Sequence, residues 1–155
     1  MGYISEMRKK VGHECIFMPC STAIIVKDNK ILLQRRMDDD TWATHGGSLE
    51  LGETFVEALN RELNEELSIR PIKPEFIDIY TGKDFYHVYP NKDQIYSVNA
   101  SYLVLDYDGE LRADNVEVKE LKWFSFDDLP SNILDVDIKV INDGIKKYLS
   151  LKDRL

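Results

Sequence analysis

The sequence predicts an α/β domain in which a mixed β-sheet lies between helices. Three observations lead there. Strand-like runs separated by turn residues stand on both sides of the chain's middle; a single long amphipathic helix is spelled by residues 54–68; and a second helical period closes the chain. With 155 residues the chain is expected to fold as one domain over 1–155, large enough to bury a core without disulfide staples.

Each element has its own warrant. Residues 3–11, YISEMRKKV, suit either a short amphipathic helix or a strand-like arm. Residues 17–26 and 31–36 are β-rich and flank an Asp-Asn turn, the pattern of a hairpin. Residues 42–52 hold turn formers and no helical period, so they read as a loop leading to the helix. Thr54 followed by Glu57 is a capping box, and Phe55, Leu59, Leu63 and Leu67 form an apolar stripe in steps of four. Pro71 and Pro74 require the helix to end near Ser68. A short strand at 77–80 precedes a second hairpin, 85–89 with 94–107. In its second arm Tyr96, Val98, Ala100, Tyr102 and Val104 alternate with Ser97, Asn99, Ser101 and Leu103, predicting one apolar face. Residues 118–126 form a further strand. Ile138, Ile141, Ile145, Tyr148 and Leu149 then predict a helix over 137–150.

Composition narrows the function. The chain is 43% apolar and 31% charged, ordinary for a soluble globular protein. A formal charge of −8 argues against a polyanion-binding groove, so no nucleic acid polymer is expected as a partner. No apolar run approaches the roughly 18 residues of a membrane span, and no basic start leads into an apolar segment. No membrane partner is expected, and the default location is cytoplasmic. Cys15 and Cys20 have no metal-ligand spacing and are expected to be small buried residues.

The acidity is focused. Between residues 47 and 69 six glutamates face one arginine, and Glu62, Glu65 and Glu66 fall within about a 100° arc of one helix face. Unpaired, such carboxylates repel; a divalent cation with a preference for oxygen ligands removes that cost. Arg61 has Glu57 at i−4 for an ordinary helix pair, and Glu53 just ahead of the helix as a further partner. Gly46 and Gly47 allow backbone to approach a metal or phosphate closely.

These residues together resemble the Nudix box, G-x5-E-x7-R-E-U-x-E-E-x-G-U with U a bulky aliphatic. Gly47, Glu53, Arg61, Glu62, Leu63, Glu65, Glu66 and Ile69 fall in register, and only the final glycine departs, to Ser68. The run ILLQRR, Trp42, and Trp123-Phe124 with Asp128-Leu129-Pro130 extend the likeness over roughly residues 16–150. The resemblance implies an α/β/α sandwich that hydrolyses a pyrophosphate bond in a nucleoside diphosphate derivative, a nucleotide, nucleotide sugar or dinucleoside polyphosphate, by water attack at phosphorus. The implied cofactor is Mg²⁺, with Mn²⁺ as an alternative, and the partner is that small molecule. Many relatives pair, so a homodimer is an open expectation.

Carried over by position, Glu62, Glu65 and Glu66 are implied metal ligands, with the Gly46 carbonyl a further candidate, and Glu53 with Arg61 a brace. The general base is sought at Glu62 or Glu66 first, and at Glu117 or Glu120 on a later loop. Arg36 resembles a phosphate-contacting arginine, although a polar strand end reads equally well. Tyr86 stands near a tyrosine of dinucleoside polyphosphate hydrolases, and Phe85, Tyr86, His87 and Tyr89 either line a base pocket or form the outside of a hairpin. Trp42 is read as packing rather than stacking on a base. Ser68 is expected to cost about 1 kcal/mol if it must adopt φ > 0, or else to end the helix differently. His45 replaces the proline usual before the double glycine and is either a neutral loop residue or an added imidazole. The competing class, a Nudix-like module that senses a nucleotide without cleaving it, is expected to lose box carboxylates, which this chain keeps. Isoprenyl diphosphate isomerisation would want a Cys–Glu pair that Cys15 and Cys20 do not suggest.

Overall fold

The computed structural model describes residues 2–154; Met1 and Leu155, the ends of the expected 1–155 domain, lie outside the described residues. Its first element is the helical alternative for the N-terminal segment, α1 (Tyr3–Val11). The first hairpin follows as β1 (Ile16–Lys27) and β2 (Lys30–Arg36), turning at Asp28 and Asn29, both in the left-handed region. Residues 42–52 correct the expectation of a plain loop, because they contain β3 (Trp42–Ala43) and β4 (His45–Ser48). These strands pair with β2 and β1 respectively, so tertiary pairing supplies the regularity that local periodicity lacks. Helix α2 (Phe55–Leu67) begins at Thr54 with both capping-box bonds in place.

Strands β5 (Ile69–Pro71), β6 (Glu75–Tyr80), β7 (Tyr86–Val88), β8 (Gln94–Val104), β9 (Tyr107–Gly109) and β10 (Val118–Ser125) follow, then α3 (Ile138–Lys152). The main sheet runs β10-β2-β1-β8-β6, with β3, β4 and β7 paired to the inner strands β2, β1 and β8 respectively. It is mixed: β1 and β8 are parallel, and the other pairs are antiparallel. A separate ribbon of β5 and β9 carries the chain out of α2.

Two cores lie on opposite faces of the sheet. Leu59, Leu63 and Leu67 of α2 are fully buried against Ala23, Ile25, Leu32, Ala100 and Val104; each such leucine contributes about 1.5–3 kcal/mol. Val140 and Ile141 of α3 pack on Ile24, Val26, Leu33 and Leu103. The result is the α/β/α sandwich implied by the box. Along helix α3, Ile141, Ile145 and Tyr148 of the expected stripe pack on the core, whereas Ile138 and Leu149 at its margins are exposed and Val140 and Gly144 are buried in addition. Trp42 packs edge-on against Phe124 at 4.8 Å within this core. Cys20 is buried as expected, whereas Cys15 is exposed in the link between α1 and β1.

Ser68 ends α2 at φ 59° and ψ 33°, so the left-handed ending persists without glycine. Strand β8 departs from the expected single apolar face. Ser97, Asn99 and Ser101 are buried, while Tyr96 is among the exposed residues, because both faces of the strand are covered along most of its length. Among the described residues no helix is long and apolar enough to cross a membrane.

Candidate active site

Strand β4 and the middle of α2 are packed backbone against side chain. Gly46 (φ 135°) lies so close to the Ser21 carbonyl that any Cβ would collide with it, and a Cβ on Gly47 would stand 2.5 Å from the Glu62 carboxyl carbon. The double glycine therefore brings the sheet up to the acidic helix. Arg61 fixes the junction. Its Nε and Nη2 donate to the two Glu53 oxygens at 2.7 and 2.9 Å, and Nη2 also donates to the Ser48 carbonyl at 3.0 Å. The Glu50 amide donates to Glu53 Oε1 at 2.7 Å. The arginine holds the Glu53 carboxyl below the usual glutamate range. The Glu57–Arg61 pair read from i−4 spacing does not form, because the Glu57 carboxylate accepts the Thr54 amide at 3.1 Å in the capping box.

Arg61 also reaches forward, donating from Nη1 to Glu62 Oε1 at 2.9 Å and to Glu65 Oε2 at 3.3 Å. Glu66 is the most enclosed of the three, only 5% exposed. Its partner is one that sequence reasoning missed. Gln34 Nε2, on β2, donates to Glu66 Oε2 at 3.2 Å and to the Thr44 carbonyl at 2.7 Å, and its contact with His45 Nδ1 is 3.4 Å. His45 is therefore not a loop residue. It is fully buried on β4, bonded through Nε2 to the Leu32 carbonyl at 2.8 Å, and burial pulls its pKa down to about 4, so it stays neutral beneath the site. A glutamine among Ile31, Leu32 and Leu33 was the available signal, since a buried strand seldom carries an unpartnered amide.

Burial raises the pKa of Glu62 despite Arg61, and raises Glu66 further, with the Glu62 charge adding to it. Both side chains, with Glu65, line a groove of about 1060 Å³. Among the described residues no three His, Cys, Asp or Glu side chains are gathered as a ready-made metal cage. Arg61 draws Glu62 and Glu65 to one of its nitrogens, while Gln34 holds Glu66 from the other side. The donor set nonetheless suits a hard divalent cation: adjacent carboxylates, of which Glu66 is buried with no cationic partner and Glu62 is half-buried.

Glu117 stands on the groove's lining on a loop shaped by Asp114, whose Oδ1 accepts the amides of Val116, Glu117 and Val118 at 3.0, 3.1 and 3.0 Å. The Met37 amide donates to the Glu117 carbonyl at 3.1 Å and joins this loop to the end of β2. Glu120, the other later-loop candidate, is instead on β10 facing Arg35 at 3.5 Å, outside the groove lining. Arg36 lines the groove, bonded to Asp38 through Nε at 2.9 Å and Nη2 at 2.6 Å, with its guanidinium 5.8 Å from the Tyr89 ring centre.

A smaller cavity of about 130 Å³ opens off the groove and shares Arg36, Met18, Gly46 and Tyr89 with it. Its wall explains the buried polar side of β8: Ser97 and Asn99 face it, together with His87 and Asp137. Asp137 is 7% exposed, its Oδ2 accepting from the Thr44 amide at 2.8 Å and hydroxyl at 3.0 Å, and burial raises its pKa. His87 Nε2 is buried with no hydrogen-bond partner. The aromatic run divides by strand alternation. His87 and Tyr89 line the cavity and Phe85 is buried in the core against Tyr80. Tyr86 is turned outward, bonded to Gln94 and tilted on Tyr96, so the structure removes it from the candidate site.

The family model of the NUDIX domain matches residues 18–143. An ADP-ribose pyrophosphatase of Methanocaldococcus jannaschii is 35% identical over 127 residues, covering 79% of this chain and 70% of the relative. A nucleoside triphosphatase, NudI, of Escherichia fergusonii is 31% identical over 144 residues, covering 85% and 94%. Among solved structures, the MutT NUDIX hydrolase of Burkholderia pseudomallei matches with a TM-score of 0.69 and 25% identity, covering 84% of this chain and 97% of that one.

Proposed function

This chain belongs to the NUDIX family, and on that premise we propose that it is a divalent-metal-dependent pyrophosphohydrolase of nucleoside diphosphate derivatives, with Glu62, Glu65 and Glu66 as its metal ligands. The observation that carries the reading is the arrangement of those carboxylates along one groove, behind a helix start braced by Glu53 and Arg61. Mg²⁺, or Mn²⁺ in its place, suits these ligands, with the Gly46 carbonyl beside them. When bound, such an ion lowers the pKa of a coordinated water and polarises a phosphoryl oxygen.

The chain's own residues divide the remaining work. Gln34 orients Glu66, and the neutral His45 packed against Gln34 keeps that amide facing the carboxylate. Arg36, at the junction of groove and cavity, contacts a substrate phosphate. The small cavity receives one ring of the nucleoside, with Asn99 and Asp137 as polar contacts and Met18 and Tyr89 as apolar walls. Of the candidate bases, Glu62 and Glu66 are committed to Arg61, Gln34 and the metal. Glu117 has no side-chain hydrogen bond among the described residues and reaches the groove from another element, so it takes the proton of the attacking water.

The test is turnover of a panel led by ADP-ribose, followed by nucleotide sugars, nucleoside triphosphates and dinucleoside polyphosphates, with and without Mg²⁺. ADP-ribose stands first because of the archaeal relative, and dinucleoside polyphosphates last because Tyr86 faces away. Hydrolysis that survives both chelation and Glu66→Gln overturns the metal assignment, and full activity in Glu117→Gln overturns that residue as base.

A further inference from the structure

We propose that Asp38 is a built-in competitor for the phosphate-binding edge of Arg36, a latch that substrate must displace. The inference rests on the reading of Arg36 as a phosphate contact. A guanidinium presents its Nε and Nη2 hydrogens as a planar fork that fits carboxylate and phosphate oxygens alike. Here Asp38 fills that fork with one oxygen on each nitrogen, at 2.9 and 2.6 Å.

The placement of Asp38 separates a competitor from a support. A supporting carboxylate stands behind the arginine, is itself fixed, and leaves the fork open toward the ligand. Asp38 instead lines the groove and its side chain is 39% exposed, so it stands where a ligand would arrive. Apart from Arg36 it bonds no other side chain among the described residues, and it lies two positions along the turn that leaves β2. The supporting role belongs to its neighbour. Asp39 is held by the Thr41 amide and hydroxyl at 3.0 and 2.6 Å and approaches Arg36 Nε at 3.6 Å. With Asp39 and the Tyr89 ring retained, the guanidinium keeps its position when Asp38 swings away.

The consequence is a substrate affinity held below what the groove can deliver, and release eased by a carboxylate ready to retake the fork. The experiment is a calorimetric titration with α,β-methylene adenosine diphosphate, a probe whose bridging carbon resists hydrolysis, in the presence of Mg²⁺. It compares the intact protein with Asp38→Ala, Asp38→Asn, Arg36→Ala and the Arg36→Ala/Asp38→Ala pair, each checked for an unchanged thermal midpoint. Asp38→Ala is expected to tighten the dissociation constant about fivefold and Asp38→Asn by less, and the Asp38→Ala tightening is expected to vanish in the Arg36→Ala background. Unchanged or weaker binding in Asp38→Ala overturns the latch. An equal tightening in the Arg36→Ala background also overturns it, since the effect would then be a general loss of negative charge. Arg36→Ala binding as tightly as the intact protein instead overturns Arg36 as the phosphate contact.

Discussion

Two arginines in this molecule make the same fork-to-fork bond with a carboxylate and hold it in opposite ways. Arg61 and Glu53 are tied into the Ser48 carbonyl, the Glu50 amide and the Glu62 and Glu65 carboxylates, and the Glu53 side chain is 17% exposed. Arg36 and Asp38 are linked side chain to side chain, and the aspartate side chain is 39% exposed on the groove lining. Pair geometry is similar, so the surrounding bonds decide the role. A bidentate pair with several further partners is a brace, because breaking it strands every one of them. Where the carboxylate has no further side-chain partner, as at Asp38, it is replaceable by any ligand of equal shape and charge.

Five measurements test whether the two pairs differ in this way. The largest effect is expected from Arg61→Ala, which strands Glu53, Glu62, Glu65 and the Ser48 carbonyl at once. It should lower kcat/KM by about 100-fold or more and cost about 3 kcal/mol in urea denaturation. A loss no greater than that of Arg36→Ala would dissolve the distinction. Next, Mg²⁺ at 100 times its Kd should raise unfolding free energy by about 2.7 kcal/mol. Glu66→Gln should remove most of that gain, which tests whether Arg61 leaves the buried carboxylate in need of a cation.

Gln34→Leu examines the support on the far side of the same carboxylates. Glu66 and the Thr44 carbonyl lose a donor, costing about 2 kcal/mol and lowering kcat about tenfold, read by denaturation and initial rates. Ser68→Gly serves as a control at the other end of α2. It relieves a left-handed serine and should raise stability by about 1 kcal/mol with kcat unchanged. A change in kcat there would mean that helix register, not the local bonds, governs the site. The smallest effect is that of Asp38→Ala on stability, expected below about 1 kcal/mol by thermal unfolding, in contrast to Arg61→Ala.

What was legible beforehand follows the range of the interactions. The capping box, the leucine stripe, the carboxylate arc and the Glu53–Arg61 brace all lie within residues 53–67, where spacing along one helix dictates who meets whom. Ser68 belongs with them, since its left-handed conformation is a property of the helix end. By the same local logic the Glu57–Arg61 pair was expected and failed, because the capping box claimed Glu57 first. Strand pairings of β3 and β4 stayed hidden in a glycine-rich stretch without periodicity.

The α/β class, the amphipathic central helix and the crowding of three carboxylates on one of its faces could be read from the sequence alone. Those are set by residue types at fixed short spacings, and short spacings survive in any compact arrangement of the chain. Only the tertiary structure decided that Gln34 holds Glu66, that Asp137 reaches Thr44 across 93 positions, that Tyr86 faces out while His87 and Tyr89 face in, and that Asp38 fills the fork of Arg36. The long-range partners arise from strand order and register, which bring distant side chains to one cavity. The last depends on the turn over residues 37–39, whose direction no periodicity encodes.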